Sequence, residues 1–367
     1  MMNMSDERLS TTQTTGLIFN FVLGTGILTL PRTSVAEVGT PDVWLTLVFG
    51  GIIALTAGFF MIKLNKQYPE KTFYEYTQDI TGKWIGYLIG FVFASYLLAH
   101  AGFQIRSMLE ITLFFLLEGT PRWAPAMIFI WVGLYLALGG INSIARLVQI
   151  VFPITVILFL LVILMSFGIF ELDNLRPVLG QGILPVLKGV KVTALSFSGL
   201  EIVLVLMPFM AQRDKSMQVI LIGTVVPLLF YMITVVMVIG ALSIDGVVAR
   251  TWPTIDLMRS FEVEGLIFER FESMLLVIWI MQLFNTFVIS FYGAALGISQ
   301  LLQKNLAPVL FGLLPIIYLI AMMPKNINSM FAFGDMIGNS GVWIGGVLPL
   351  ILLLISKMRR RKHGNHH

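Results

Sequence analysis

Two short polar interruptions hold most of the chemistry available to this 367-residue chain. Gly24-Thr25-Gly26 breaks one apolar run, and Ser196-Phe197-Ser198-Gly199, followed by Glu201 and Pro208, breaks another. Small, helix-weakening residues at membrane depth free backbone N–H and C=O groups, and hydrocarbon tolerates these only where they line a cavity or hold a ligand. Glycine permits close approach and positive φ, and N–H groups at a restarting helix suit a carboxylate. Gly24, Thr25 and Gly26 are therefore candidates for an amino-acid-type carboxylate; a tight small-residue helix contact is the alternative. Ser196, Phe197, Ser198 and Gly199 would form the opposite wall. Glu201, a carboxylate in an apolar run, would balance a substrate ammonium or take up a proton, or else tie two helices together.

Two further polar sets lie in apolar runs. His100, Gln104, Arg106, Ser107 and Glu110 share a wedge of one helix, with Arg106 and Glu110 an i,i+4 pair. Facing inward, they would line a pathway or lock the bundle. Gln282, Thr286 and Ser290 are spaced i, i+4, i+8 with Asn285 beside them, a stripe that suits a vestibule, a cation site or helix–helix hydrogen bonding. With no cysteine, no phosphate-binding glycine loop, no zinc-type histidine cluster and no nucleophile elbow, nothing points to an enzyme, a cofactor or a resident metal.

Composition demands that membrane helices position these residues. Hydrophobic residues make up 57% of the chain and charged ones 12%, where a soluble domain carries about 25% charged; mean hydropathy is +0.88. The net charge of +4 reads as topology signals between apolar runs, not as a nucleic-acid surface. About 20 apolar residues cross a bilayer, and ten such spans are expected, at about 14–34, 43–64, 84–116, 124–139, 147–170, 188–210, 218–241, 271–301, 307–323 and 335–356. With both termini inside, fourteen Lys and Arg fall on the inner side and nine on the outer, so both termini are expected in the cytoplasm. The basic tail, 357–367, would lie at anionic headgroups. The connection at about 242–270, with Trp252-Pro253-Thr254, either caps the outer mouth or is a solvated acidic loop.

Gly24 and Gly199 stand 175 positions apart, each in the first span of a group of five. Five is odd, so a second repeat would enter the membrane from the opposite side. The expected fold is all-α: one transmembrane domain of ten transmembrane helices in a five-plus-five inverted repeat, with repeat one over about 14–170 and repeat two over about 188–356, broken helices 1 and 6, and a site at the midplane.

Gly24-Thr-Gly-Ile-Leu-Thr-Leu-Pro31 resembles the start of the amino acid-polyamine-organocation superfamily. Thr40-Pro-Asp-Val-Trp44, Asn174-Leu-Arg-Pro-Val-Leu-Gly-Gln-Gly182, Thr251-Trp-Pro-Thr254 and Phe268-Glu-Arg-Phe-Glu-Ser273 narrow the match. From about 10 to 358 the chain resembles the B subunit of spore germinant receptors, the endospore amino-acid permease-like family. The resemblance implies a LeuT-like bundle in the inner membrane of a bacterial endospore, with A and C subunits of the same receptor as partners. It also implies recognition of a nutrient, commonly an amino acid, at Gly24, Thr25, Gly26 and Ser196 to Gly199. The fifth span lacks the mid-membrane lysine of some proton-coupled members, which argues against transport by their route. A germinant sensor, a permease with the same site, and a channel-like subunit conducting ions or water remain the three functional readings.

Overall fold

A computed structural model describes residues 7–24, 26–260 and 271–364 of the chain. These residues are helical almost throughout, and they hold one isolated parallel β-bridge, between Leu9 and Met210.

The first apolar segment is two helices, α1 (Thr11–Leu23) and α2 (Gly26–Val38), inclined at 45°. α1 begins where the Ser10 side chain accepts from Gln13 N–H and the Gln13 side chain returns to the Ser10 N–H, which satisfies two orphan donors. It ends at Gly24, whose φ of 22° and ψ of −125° lie outside the helical region. α3 (Val43–Asn65) follows, then a nine-residue amphipathic helix, α4 (Phe73–Thr81), then α5 (Lys83–Phe115) with 33 residues. α6 (Trp123–Leu138) and α7 (Gly140–Ser166) complete the first half. The sixth segment runs as α8 (Leu184–Leu195), unwinds over 196–199, and resumes through a 3-10 turn into the single-turn helix α9 (Val203–Leu206). α10 (Ser216–Ala249), α11 (Pro253–Arg259), α12 (Phe271–Leu302), α13 (Leu306–Met322) and α14 (Ile327–Gly341) come next. A π-helical stretch over Val342–Val347 leads into α15 (Leu348–Gly364).

Among the described residues, seven helical stretches are long and apolar enough to cross a membrane, and the bent α1–α2 pair makes an eighth. α6 and α13 are shorter apolar helices of 16 and 17 residues. These ten segments occupy the ten expected positions. The seventh span continues to Ala249 past a non-helical Ser243, the tenth starts at Ile327, and α4 was not foreseen.

Burial sorts the segments into inner and outer. Of an 18-residue window, 83% is buried in α12, 72% in Leu184–Phe209 and 67% in α5, against 28% in Gly140–Ile169. α5, α12 and the broken sixth segment are thus the protein interior, and α7 presents Ile150, Ile157 and Leu164 outward as lipid-facing helices do. α11 lays Pro253, Ile255 and Leu257 inward, and the Thr254 hydroxyl donates to the Ile27 carbonyl of α2 at 3.0 Å. The first part of that connection therefore covers α2 and is not a free solvated loop; residues 261–270, including part of the Phe268–Ser273 motif, lie outside the described residues.

Candidate functional site

The two interruptions meet. Gly199 sits at φ 120°, and a Cβ there would lie 2.8 Å from Phe21 Cδ1 and 3.1 Å from the Phe21 carbonyl oxygen. Only a residue without a side chain both adopts that angle and fits that gap. The Tyr231 hydroxyl, on α10, donates to the Val22 carbonyl at 2.7 Å and to the Ser196 carbonyl at 3.1 Å. One buried side chain thereby serves the freed carbonyls of both broken segments, and Gly26 leaves it room: a Cβ at Gly26 would stand 3.2 Å from Tyr231 Cζ. Phe197 packs its ring edge against the same tyrosine, with centroids 5.5 Å apart. Thr25, expected in the carboxylate cradle, lies outside the described residues.

Glu201 is 2% exposed. Its Oε2 accepts from the Gly199 N–H at 2.8 Å, and its Oε1 accepts from the Tyr96 hydroxyl of α5. Of the roles read from sequence, this arrangement matches the helix tie: both carboxylate oxygens are engaged within the protein, one of them capping the unwound stretch. Ser198 donates to the Gly338 carbonyl of α14 at 3.0 Å, and Ser196 turns back to the Val192 carbonyl of its own helix at 3.3 Å. A cavity of about 60 Å³ lies beside Glu201 among Ser198, Phe197, Met61, Gly341 and Gly345, room for roughly two waters.

The polar residues of α5 divide into two groups. His100 and Gln104 face the breaks: His100 stacks on Phe21 at 4.8 Å and bonds Ser290 through Nδ1 at 2.8 Å, while Gln104 Nε2 lies 3.4 Å from His100 Nε2. Arg106 and Glu110 do not join them. They form an ion pair directed away from the breaks, and Arg122, at the start of α6, lies 3.7 Å from the same Glu110 oxygen and bonds the Lys325 carbonyl between α13 and α14. Arg106 and Glu110 lie further along this 33-residue helix and, with Arg122, link it to the start of α6 and to the α13–α14 connection.

The α12 stripe bonds to α1. Asn20 Nδ2 donates to Gln282 Oε1 at 2.8 Å, Gln282 Nε2 returns to the Asn20 carbonyl at 2.9 Å, and the Thr286 hydroxyl reaches that carbonyl at 3.3 Å. Ser290 donates to the Thr286 carbonyl. This is helix–helix bonding, the third of the readings given for the stripe. Three amides remain incompletely used: Asn20 Oδ1, Gln104 Oε1 and both polar atoms of Asn285 are buried without a hydrogen-bond partner among the described residues. A Cβ at Gly24 would lie 3.5 Å from both Gln104 Nε2 and Thr286 Cγ2, which places the Gln104 amide against the first break. Among the described residues no group of three His, Asp or Glu side chains is arranged to hold a metal.

Sequence reasoning did not single out Asn20, Tyr96 or Tyr231. Asn20 and Tyr96 carried a signal, being polar groups four residues before Gly24 and His100. Tyr231 carried none, because its role depends on two carbonyls 35 and 209 positions away.

Residues 8–330 match the family model described as "Spore germination protein". The chain is 54% identical over 355 residues to spore germination protein YndE of Bacillus subtilis (strain 168), covering 97% of this chain and 98% of that protein. Among solved structures, MhsT in complex with L-phenylalanine aligns with a TM-score of 0.69 at 11% identity, over 94% of this chain and 88% of that one. Mhp1, a nucleobase-cation-symport-1 family transporter with bromovinylhydantoin bound, aligns at 0.68 and 13%, over 94% and 78%. Both share the LeuT fold with this chain, at identities that speak to fold alone.

Proposed function

This chain belongs to the family of spore germination proteins, and from that membership we propose that it is the nutrient-sensing membrane subunit of a germinant receptor. A small molecule of the amino-acid class binds between the two broken segments and shifts the packing of the halves, about 14–170 and 188–356, which partner subunits read. The observation that carries this reading is the meeting of two unwound stretches on Tyr231, together with two buried amide oxygens on α1 and α5, Asn20 Oδ1 and Gln104 Oε1, that find no donor among the described residues. A buried unpaired acceptor costs about 1–3 kcal/mol, and a ligand ammonium would supply what they lack. Glu201, already holding Gly199 and Tyr96, is assigned to keeping the second break open. The first N–H groups of α2 have no intrahelical partner and suit the ligand carboxylate at Gly24 to Gly26.

The partners are the A and C subunits and the location is the spore inner membrane with both termini cytoplasmic. Family membership supports the first two, and the bias of Lys and Arg supports the orientation. A second reading, a permease that moves the same ligand, is favoured by likeness of fold to two transporter structures.

The test is a thermal-shift screen of the purified protein in detergent against amino acids, sugars and nucleosides, since a ligand specific to the folded state raises apparent stability with its concentration. A rise with one or a few amino acids, lost in Gly24→Ala and Gln104→Leu, is expected. No rise with any class sinks the proposal for the isolated chain. Accumulation of the ligand in vesicles would select the permease, and binding without accumulation the sensor.

A further inference from the structure

We propose that Glu201 is a proton-binding site: inside the folded bundle it holds a proton against Tyr96, and it releases that proton when the last span moves off the second break. The carboxyl group is buried in an apolar stretch, and the elements packed against it are α1, α3, α5 and α14 with its π-helical continuation. α1 and Val342–Val347 contain no ionisable side chain. Lys63, the one ionisable residue of α3, is exposed and lies over the Phe59 ring. Asp335, the one on α14, is exposed too. α5 brings the Tyr96 hydroxyl, while His100 turns to Ser290 with its ring 6.3 Å from that of Tyr96. Two donors and no cation therefore reach Glu201 among the described residues. A carboxylate so placed is strongly unfavourable, and the group neutralises instead.

The Tyr96–Glu201 contact joins two oxygens, and either can own the hydrogen between them. When protonated, the carboxyl donates from Oε1 to the Tyr96 oxygen and still accepts the Gly199 N–H at Oε2, so the tie to the second break survives. The Tyr96 hydrogen turns toward Ser198, since both hydroxyls border Gly341, where a Cβ would crowd them. Gly345 lays the last span on the same group: a Cβ there would stand 3.2 Å from Glu201 Cβ and 3.4 Å from Oε2. That glycine belongs to the π-helical stretch, a form concentrated at functional sites. The adjoining cavity of about 60 Å³ is too small to hydrate a carboxylate. Displacing the π-helical stretch widens it; the carboxyl O–H bond then breaks, the proton passes to water, and the carboxylate draws in the Tyr96 hydroxyl and the Gly199 N–H. Movement at the second break and proton release are one event, whichever nutrient drives it.

The experiment is infrared difference spectroscopy of the full chain in detergent across a pH titration, following the C=O stretch of protonated carboxyl groups, which stands apart from the ionised carboxylate bands. At neutral pH the wild type is expected to show a protonated-carboxyl band that Glu201→Gln lacks. Tyr96→Phe removes the oxygen that accepts the proton and should move that band to higher frequency without loss of area. Gly345→Val pushes the π-helical stretch away from the carboxyl group, and its band should disappear at lower pH than in the wild type. Matching spectra of wild type and Glu201→Gln in this region at neutral pH would overturn the site. Should Glu201→Gln fail to fold, Tyr96→Phe decides: a shifted band supports the site and an unshifted one overturns it. A wild-type midpoint in Gly345→Val would overturn the coupling of release to the last span.

Discussion

Tyr231, Gly199 and Glu201 show how single residues hold an opened backbone in hydrocarbon. Tyr231→Phe keeps the ring and its contact with Phe197 and loses only the donor to Val22 and Ser196. We predict a stability loss of about 1 kcal/mol, the scale of polar contacts inside membrane proteins, read as a lowered midpoint of unfolding in mild detergent. An unchanged midpoint would show that water serves those carbonyls equally well. Asp256, outside the spans on α11, is raised above the ordinary carboxylate range because partial burial outweighs the opposing pull of Arg250 and Arg259. Its folded-state pKa exceeds its unfolded one, so protons favour the fold. Stability gained from this group appears as pH falls through the raised folded value and is absent at neutral pH. Asp256→Asn should flatten that part of the pH–stability profile, and a profile identical to wild type would refute it. The candidate residues around the breaks were legible because glycine, serine and glutamate are conspicuous in an apolar run. Their partner Tyr231 was not, since it looks like any interfacial aromatic until the chain has folded, and Tyr96 was marked only by standing four residues before His100.

At the scale of elements, long apolar helices announced themselves and short amphipathic ones did not. α4 is nine residues, too brief for a periodic signal, and its packing depends on Gly86, where a Cβ would lie 2.5 Å from the Gln78 backbone nitrogen and 2.7 Å from the Thr77 carbonyl carbon. Its start is legible in hindsight, because Thr72 and Glu75 form a reciprocal cap. Thr72→Ala should cost about 1 kcal/mol, and it also removes the hydroxyl that donates to Gln300 on α12 at 2.6 Å. Hydrogen exchange of residues 73–81 should accelerate in that variant while α5 stays protected; equal protection would mean that the Tyr74 bond to the Gly293 carbonyl anchors α4 by itself. The division of α5 between His100, which meets the breaks, and Arg106, which is buried beside Glu110 nearer α6, was beyond a helical wheel, which gives directions but not neighbours.

For the molecule as a whole, the segment before α1 is paired with the connection after the sixth span: Leu9 N–H donates to Phe209 at 2.7 Å, and Ala211 N–H donates to Leu9 at 2.9 Å. Beside it opens a cavity of about 720 Å³ lined by Glu7, Glu75, Asp79, Ser299 and Lys304. Leu9→Pro removes the first of these donors, and we predict several-fold faster labelling of Ser299→Cys by a maleimide. The chain has no other cysteine, so the reporter is unambiguous, and an unaltered labelling rate would show the pairing to be no barrier. The Tyr231 hydroxyl has a further consequence. It owns one hydrogen and faces two carbonyls, one in each half of the chain, so the halves compete for a single proton. A ligand that offers its own N–H to either carbonyl releases that hydrogen to the other, and occupancy on one side of the molecule is thereby reported as a tighter bond on the opposite side.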